Sequence, residues 1–373
     1  MIYPYLIPEG EISQENFAAS SLPAEPIPRK RNSTCIKFLG QSPEIGALAR
    51  WARPTMSVLD QVLRKTQEAR IPFCMHLDLT YRCHQRCLHC YIPEAWRQGE
   101  GPGPELTTDQ VKGVLDQLAA AGTFFLTLSG GEVFLRPDLT AILEHARKQN
   151  FAISLMTSGT RGVSRDILRF LAELGLNGLL MTLFSLDPTV HDHLTGTPGS
   201  WARLRATIRE AKAAGVPVVL NCIAMRPNAG QVKAVRDFAG GEGIPLRLDA
   251  NLTPRWDGAP HTPGLAMVPE EQKSLYQEVG LGQDLVHSQE RATTAWDLGP
   301  RGCGAGESMG YFTPSGELWP CIEIPWSCGP INGEAGFTFL WENAAALRKV
   351  REIQEEGDVL DNSLCDMISS LEN

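Results

Sequence analysis

Between Ile71 and about Asn251 the chain alternates strand-like and helix-like segments six times, and this alternation constrains the fold more than any other feature. The strand-like segments are 73–79, 123–128, 151–156, 178–184, 217–224 and 245–252. Most are continuous apolar runs, as expected of parallel strands covered on both faces. The segments between them are amphipathic. The first opens with Thr107-x-x-Gln110, a capping box, and continues through Val111, Val114, Leu115 and Leu118 at helical spacing. Others span 139–149, 165–174, 200–214 and 230–239. Regular βα alternation predicts a parallel sheet with right-handed crossovers. Six units suit an open partial barrel, the closed form having eight. Sheets of this kind bind ligands at the carboxyl ends of their strands.

The loop after the first strand carries Cys83, Cys87 and Cys90, three thiols within eight residues. Three thiolates can bind three irons of a cubane [4Fe–4S] cluster and leave the fourth open to a small molecule, whereas four cysteines would make an electron carrier. Two other readings of the same residues stand beside this one. Cys87-x-x-Cys90 could be a redox dithiol, which would not need Cys83, or half of a zinc site completed by His84 and His89.

The spacing Cys83-x-x-x-Cys87-x-x-Cys90, with His89 just before the third cysteine, resembles the signature of radical S-adenosylmethionine (SAM) enzymes. The resemblance implies a partial (β/α)6 barrel, in agreement with the alternation. It implies that the open iron chelates the amino and carboxylate groups of SAM. The reduced cluster then cleaves SAM to a 5′-deoxyadenosyl radical, which abstracts hydrogen from a substrate. By the same resemblance His89 would pack near the adenine.

Gly130-Gly131-Glu132 follows the second strand and resembles the family's GGE motif, which contacts the SAM amino group. The two glycines would let backbone approach a ligand closely, and Glu132 could accept from an ammonium; a plain tight turn is the other reading. Ser158, in Thr157-Ser-Gly-Thr160, would lie near the ribose or methionine of SAM. Ser185-Leu-Asp187, His191-Asp192 and Gly196 resemble the family's SLD…HD…G stretch. Ser185 and Asn221 are further SAM contacts by this reading, or ordinary strand-end polar groups by the other. His191 and His193 read as turn supports. Arg255 and Asp257 would either position substrate or pair with each other.

A second cysteine set lies in the C-terminal third. Cys303, Gly316 and Cys321 resemble the opening of the SPASM domain, which binds auxiliary [4Fe–4S] clusters. Gly316 suits the turn of a hairpin between 311–313 and 317–319. Buried cysteines in a plain hairpin are the alternative. Cys328 and Cys365 are the remaining candidates, but Ile368 stands where that pattern would have its next cysteine, and the sequence ends at Asn373. The expectation is therefore at most one auxiliary cluster, from Cys303 and Cys321 with Cys328 or Cys365. Cys35, Cys74 and Cys222 stand alone and read as small buried hydrophobes.

A formal net charge of −9 argues against general nucleic-acid binding, which depends on phosphate neutralisation. No apolar run has the length of a membrane span, and no secretory signal is visible, so a cytoplasmic protein with reduced thiols is expected. The expected fold class is α/β, a partial parallel barrel with a small C-terminal α+β cysteine-rich domain. The expected divisions are an N-terminal extension with short helices at 1–70, the barrel at 71–260, a linker at 261–300 and a truncated SPASM-like domain at 301–373. The resemblance implies an enzyme that modifies a ribosomally made peptide or protein and is reduced by a flavodoxin- or ferredoxin-type donor. Relatives of this layout include maturases of the pyrroloquinoline quinone and mycofactocin precursors and of sulfatases. The alternatives are a tetrapyrrole-modifying radical SAM enzyme and a non-catalytic iron–sulfur or zinc protein.

Overall fold

Residues 58–280, 303–331 and 335–356 are described in the computed structural model of the chain. All six expected strands are present: β1 Cys74–Thr80, β2 Phe125–Gly130, β3 Ala152–Thr157, β4 Gly178–Thr182, β5 Val218–Ile223 and β6 Leu246–Asp249. Each pairs in parallel with the next, in the order β6-β5-β4-β3-β2-β1.

The strands are buried on both faces, yet they alternate in character. Met75, Leu77 and Leu79 of β1, Leu126 and Leu128 of β2, Ile153 and Leu155 of β3, and Leu220 and Cys222 of β5 belong to the main apolar core. Helices α3 Thr108–Ala120, α4 Leu139–Lys148, α5 Arg165–Leu174, α7 Ser200–Ala213 and α8 Val232–Gly241 close that core with their apolar stripes. In α3 the stripe is Val111, Val114, Leu115 and Leu118, all buried, each worth roughly 1.5–3 kcal/mol of hydrophobic stabilisation. The capping box holds the start of α3: Gln110 N–H donates to Thr107 Oγ1 at 3.3 Å, and Thr107 N–H donates to Gln110 Oε1 at 2.9 Å.

Because strand side chains have a period of two, the opposite face carries the residues in between. These are His76 and Asp78, Thr127 and Ser129, Ser154 and Met156, Asn221, then Arg247 and Asp249. Of these, all but Met156 are polar, and most are buried. Burying polar groups is costly unless they are paired or meet a ligand, so this polar interior marks the functional face.

Three elements depart from the expectation. Helix α6 Pro188–Thr195 forms where only a turn was foreseen, with Asp187 as its N-cap and proline at the start of its first turn. The expected hairpin exists as β7 Met309–Phe312 and β8 Leu318–Trp319, but it is not confined to a separate module. Strand β7 pairs in parallel with β1, Cys74 opposite Met309 and Leu77 opposite Phe312, so among the described residues the sheet has eight strands. Helices α10 Phe337–Asn343 and α11 Ala345–Glu356 follow. The first docks on α3, where Phe337 N–H donates to Gln117 Oε1 at 2.8 Å. Helix α9 Pro269–Glu278 lies within the span read as a linker.

Candidate active site

The three cysteines sit on the loop leaving β1, and all three line one cavity of about 160 Å³ at the carboxyl ends of the strands. The loop is held from two sides. Cys83 N–H donates to Arg97 O at 3.1 Å, in the short helix α2 Glu94–Arg97. Arg86 and Leu88 N–H donate to Thr195 O and Leu194 O of α6 at 3.0 and 2.9 Å. Gln85 spans the thiols, its N–H donating to Cys83 Sγ and its Oε1 accepting from Cys87 Sγ, both at 3.4 Å. Burial pushes all three thiols up, Cys83 to about 12, and mutual repulsion adds to this for Cys83 and Cys87. The Arg97 guanidinium opposes the rise at each of them. Thiols raised in this way ionise readily only with a strong cationic partner, which is what coordination to iron supplies.

The geometry lends the zinc reading no support. Among the described residues no three His, Cys, Asp or Glu side chains converge on a position for a single metal ion. His84 Nε2 is hydrogen-bonded to Thr160 Oγ1 at 2.7 Å, and His89 packs edge-on against Phe184 with ring centroids 5.0 Å apart. Thiols distributed around a cavity suit a cluster, whose irons occupy separate corners.

Gly130 and Gly131 line the same cavity and let β2 come directly onto the end of β1. A Cβ on Gly130 would fall 2.1 Å from Thr80 O, and one on Gly131 would fall 2.4 Å from Tyr81 O. Gly130 also holds φ at 137°, outside the range of other residues. Glu132 follows the two glycines. It is fully buried and is occupied by protein donors: Thr157 Oγ1 at 2.6 Å and Phe134 N–H at 3.4 Å to Oε1, Ser158 N–H at 3.0 Å and Ser158 Oγ to Oε2. It ties the β2 loop to the β3 loop. The network continues from Ser158 Oγ to Thr160 Oγ1 at 3.0 Å, which also accepts from Gln85 Nε2 at 3.2 Å. The cysteine loop, the glycine turn and the β3 loop are thereby one hydrogen-bonded unit.

Of the other expected contacts, His89, Ser158 and Asn221 reach the cavity. Asn221 Oδ1 and His89 Nδ1 are buried and have no partner in the protein. Ser185 is fully buried and accepts from Asp187 N–H at 2.9 Å, forming the turn that starts α6, and it is not among the cavity-lining residues. His191 Nδ1 accepts from Phe184 N–H at 3.3 Å, while Asp192 accepts from Ser200 Oγ and Trp201 N–H, both at 2.8 Å, at the start of α7. The SLD…HD…G stretch is thus scaffolding beneath the cysteine loop. Arg255 and Asp257 form an ion pair, Nε to Oδ1 at 3.1 Å.

The second cysteine set divides. Cys303 and Cys321 pack in one small cluster with Ala305, Ile324 and Val350. Cys328 packs in the main core and is 8% exposed. Cys365 lies outside the described residues.

Two features escaped the sequence reading. Arg97 is buried beside all three thiols, and a single arginine in the sequence offers no signal for that. An aromatic wall runs from the cysteine loop toward Cys321: Tyr91–Trp256 at 4.7 Å, Trp256–Trp319 at 5.0 Å and Trp319–Tyr311 at 5.1 Å between ring centroids. Trp256 Nε1 fixes it by donating to Ile322 O at 3.2 Å.

Residues 77–239 match the family model of the radical SAM superfamily. The chain thus carries a radical SAM domain over that span, the mark of an enzyme whose cofactors are a [4Fe–4S] cluster and SAM. It is 26% identical over 296 residues to the mycofactocin maturase MftC of Mycobacterium tuberculosis, covering 77% of this chain and 74% of that one. It is 29% identical over 259 residues to the PqqA peptide cyclase of Streptomyces rochei, covering 67% and 69%. An AdoMet-dependent heme synthase of Methanosarcina barkeri is 26% identical over 299 residues, covering 74% and 84%. Among solved structures, SuiB of Streptococcus suis bound to its precursor peptide SuiA shares the fold with a TM-score of 0.60 at 14% identity, over 77% of this chain and 69% of that one. Among the described residues no helix is long and apolar enough to cross a membrane.

Proposed function

We propose that this enzyme uses radical SAM chemistry to modify a ribosomally made peptide. The observation that carries the reading is the convergence, on one cavity at the strand ends, of three thiols, the Gly130–Gly131 turn and the unpartnered Asn221 Oδ1. These groups fit the two cofactors. Cys83, Cys87 and Cys90 would hold a cluster. The glycine backbone, Ser158, His89 and Asn221 would hold SAM. When bound and reduced, the cluster supplies the electron that cleaves SAM to a carbon radical able to abstract hydrogen. The protein's own contributions are positional. Glu132 locks the two loops that shape the SAM cradle, Arg97 offsets negative charge at the thiols, and the aromatic wall keeps water from that side of the site.

The peptide assignment draws on the maturase and peptide cyclase among the relatives. The heme synthase keeps tetrapyrrole modification as the second reading. A flavodoxin- or ferredoxin-type protein would deliver the electron in a cytoplasmic setting. Cys303 and Cys321 would contribute to one auxiliary cluster within a C-terminal SPASM-like portion. The test is anaerobic incubation of reconstituted enzyme with SAM, reductant and the short peptides encoded beside its gene, followed by mass spectrometry. The reading expects a mass change in one peptide that disappears in Cys83→Ala. If no peptide changes and a porphyrin precursor does, the second reading replaces it.

A further inference from the structure

A second cavity of about 90 Å³ adjoins the first, and Tyr91, Met156, Asn221 and Ile223 line both. Its own wall includes His76 of β1, Asp249 of β6 and Glu323 from the C-terminal hairpin region. His76 is 3% exposed. Its Nε2 lies 3.0 Å from Asp78 Oδ1, and Asp78 Oδ2 accepts from the Tyr311 hydroxyl at 2.8 Å. This buried chain joins β1 to β7, the strand that the C-terminal portion adds to the barrel.

The chemistry of the chain fixes the proton. A carboxylate only accepts, so Nε2 carries a hydrogen, and in the neutral ring Nδ1 presents a lone pair. Burial together with the Asp78 charge pushes the Tyr311 phenol up, which keeps it a donor. His76 Nδ1 has no partner in the protein. A buried acceptor left without a donor costs about 1–3 kcal/mol, and a histidine serving only to pack the core would be expected to pair both nitrogens. Asn221 Oδ1 and His89 Nδ1 are likewise buried without a partner in the protein, on the wall the two cavities share.

We propose that this smaller cavity is a substrate subsite that takes a hydrogen-bond-donating group, a hydroxyl or an ammonium, on Nδ1 of His76. Asp78 and Tyr311 are positioning residues that set the tautomer and the ring orientation. The inference rests on the reading of the chain as a radical SAM enzyme with a peptide substrate. It adds what the substrate must present next to the cofactor cavity.

The probes are three pairs of N-acetyl amino-acid amides: serine against alanine, tyrosine against phenylalanine, and lysine against norleucine. Their dissociation constants are measured by saturation-transfer NMR on reconstituted, SAM-loaded protein. The donor-bearing member of at least one pair should bind roughly 10-fold more tightly, since sites built around a hydrogen bond reject analogues that lack it. His76→Gln keeps a nitrogen donor for Asp78 at the ε position but deletes the δ acceptor, so the ratio should fall to about 1. His76→Asn carries an oxygen at the δ position and should restore part of the preference. Asp78→Asn should lower the ratio by releasing the tautomer. Ratios near 1 for all three pairs in the wild type, no binding of any probe, or a preference that survives His76→Gln would each overturn the proposal. 5′-Deoxyadenosine formation by the same wild-type sample tests the parent reading separately: its absence removes that reading whatever the probe ratios.

Discussion

Replacing Glu132 by glutamine tests whether this carboxylate acts on the protein or on SAM. Its two oxygens accept four hydrogen bonds, from Thr157 Oγ1, Phe134 N–H, and both the N–H and Oγ of Ser158. An amide can replace only one oxygen's acceptor capacity. With the amide nitrogen at the Oε2 position, the Ser158 hydroxyl can rotate to accept, but its N–H is stranded. With the nitrogen at Oε1, the Thr157 hydroxyl can rotate, and the Phe134 N–H loses its long bond of 3.4 Å. The second arrangement costs less. A stranded buried donor costs about 1–3 kcal/mol, and the remaining bonds fall from the charged range of about 1.5–3 toward the neutral range of about 0.5–1.5 kcal/mol each. Removing a buried charge, whose burial raises the carboxyl pKa, offsets part of this. The net expectation is about 2 kcal/mol of lost stability, or a fall in Tm of about 4–8 °C for a domain of this size. The assay is a thermal melt of protein without iron or SAM at neutral pH. A fall in that range supports the positioning role. An unchanged melt, combined with a raised KM for SAM in the reconstituted enzyme, would refute the reasoning and place the carboxylate on the ligand.

Four further outcomes follow from the same structure. Gly131→Ala puts a methyl 2.4 Å from two backbone oxygens, and should cost about 3 kcal/mol or more and lower the iron retained per chain. Cys328→Ala should cost about 1–2 kcal/mol in denaturant unfolding as a core truncation, while iron per chain stays at the wild-type value; an iron loss as large as that of Cys321→Ala would show that Cys328 is a ligand. Arg97→Met removes the cation beside the thiols, and a potentiometric titration should find the cluster harder to reduce. Asp138 is held at about 2, below its ordinary 3.8, mainly by its hydrogen bond to Arg136, which also donates to Leu79 O at 2.9 Å. Its folded pKa is depressed, so its contribution is complete above 3.8 and is lost as pH falls toward 2. The stability gap between wild type and Asp138→Asn should therefore close across that acidic window.

The barrel was legible because each strand reads as an apolar run of strand length bounded by helix signals. Strand β3, foreseen at 151–156, forms at Ala152–Thr157, and α5 has the bounds the sequence suggested. Helix α6 was missed because its starting signal, Asp187 followed by Pro188, doubles as turn chemistry. The polar interior was present in Cys74-Met-His-Leu-Asp-Leu-Thr80, but its period of two is masked by burial on both faces. The pairing of β7 with β1 spans more than 230 positions, and no local pattern encodes it. At the site, the cysteines were legible from spacing alone. At Glu132 the motif identifies the residue but not which protein donors the fold brings to it. Ser185 and Cys328 illustrate the same limit: the sequence does not show that Ser185 accepts from Asp187 N–H or that Cys328 packs in the main core.

The central claim is that Cys83, Cys87 and Cys90 form a radical SAM site. Protein purified and reconstituted anaerobically with iron and sulfide, then reduced with dithionite, should convert SAM to 5′-deoxyadenosine. The variant carrying Cys83→Ala, Cys87→Ala and Cys90→Ala should produce none. A wild type with a full complement of iron that forms no 5′-deoxyadenosine, or a triple variant that forms as much as the wild type, would contradict the account.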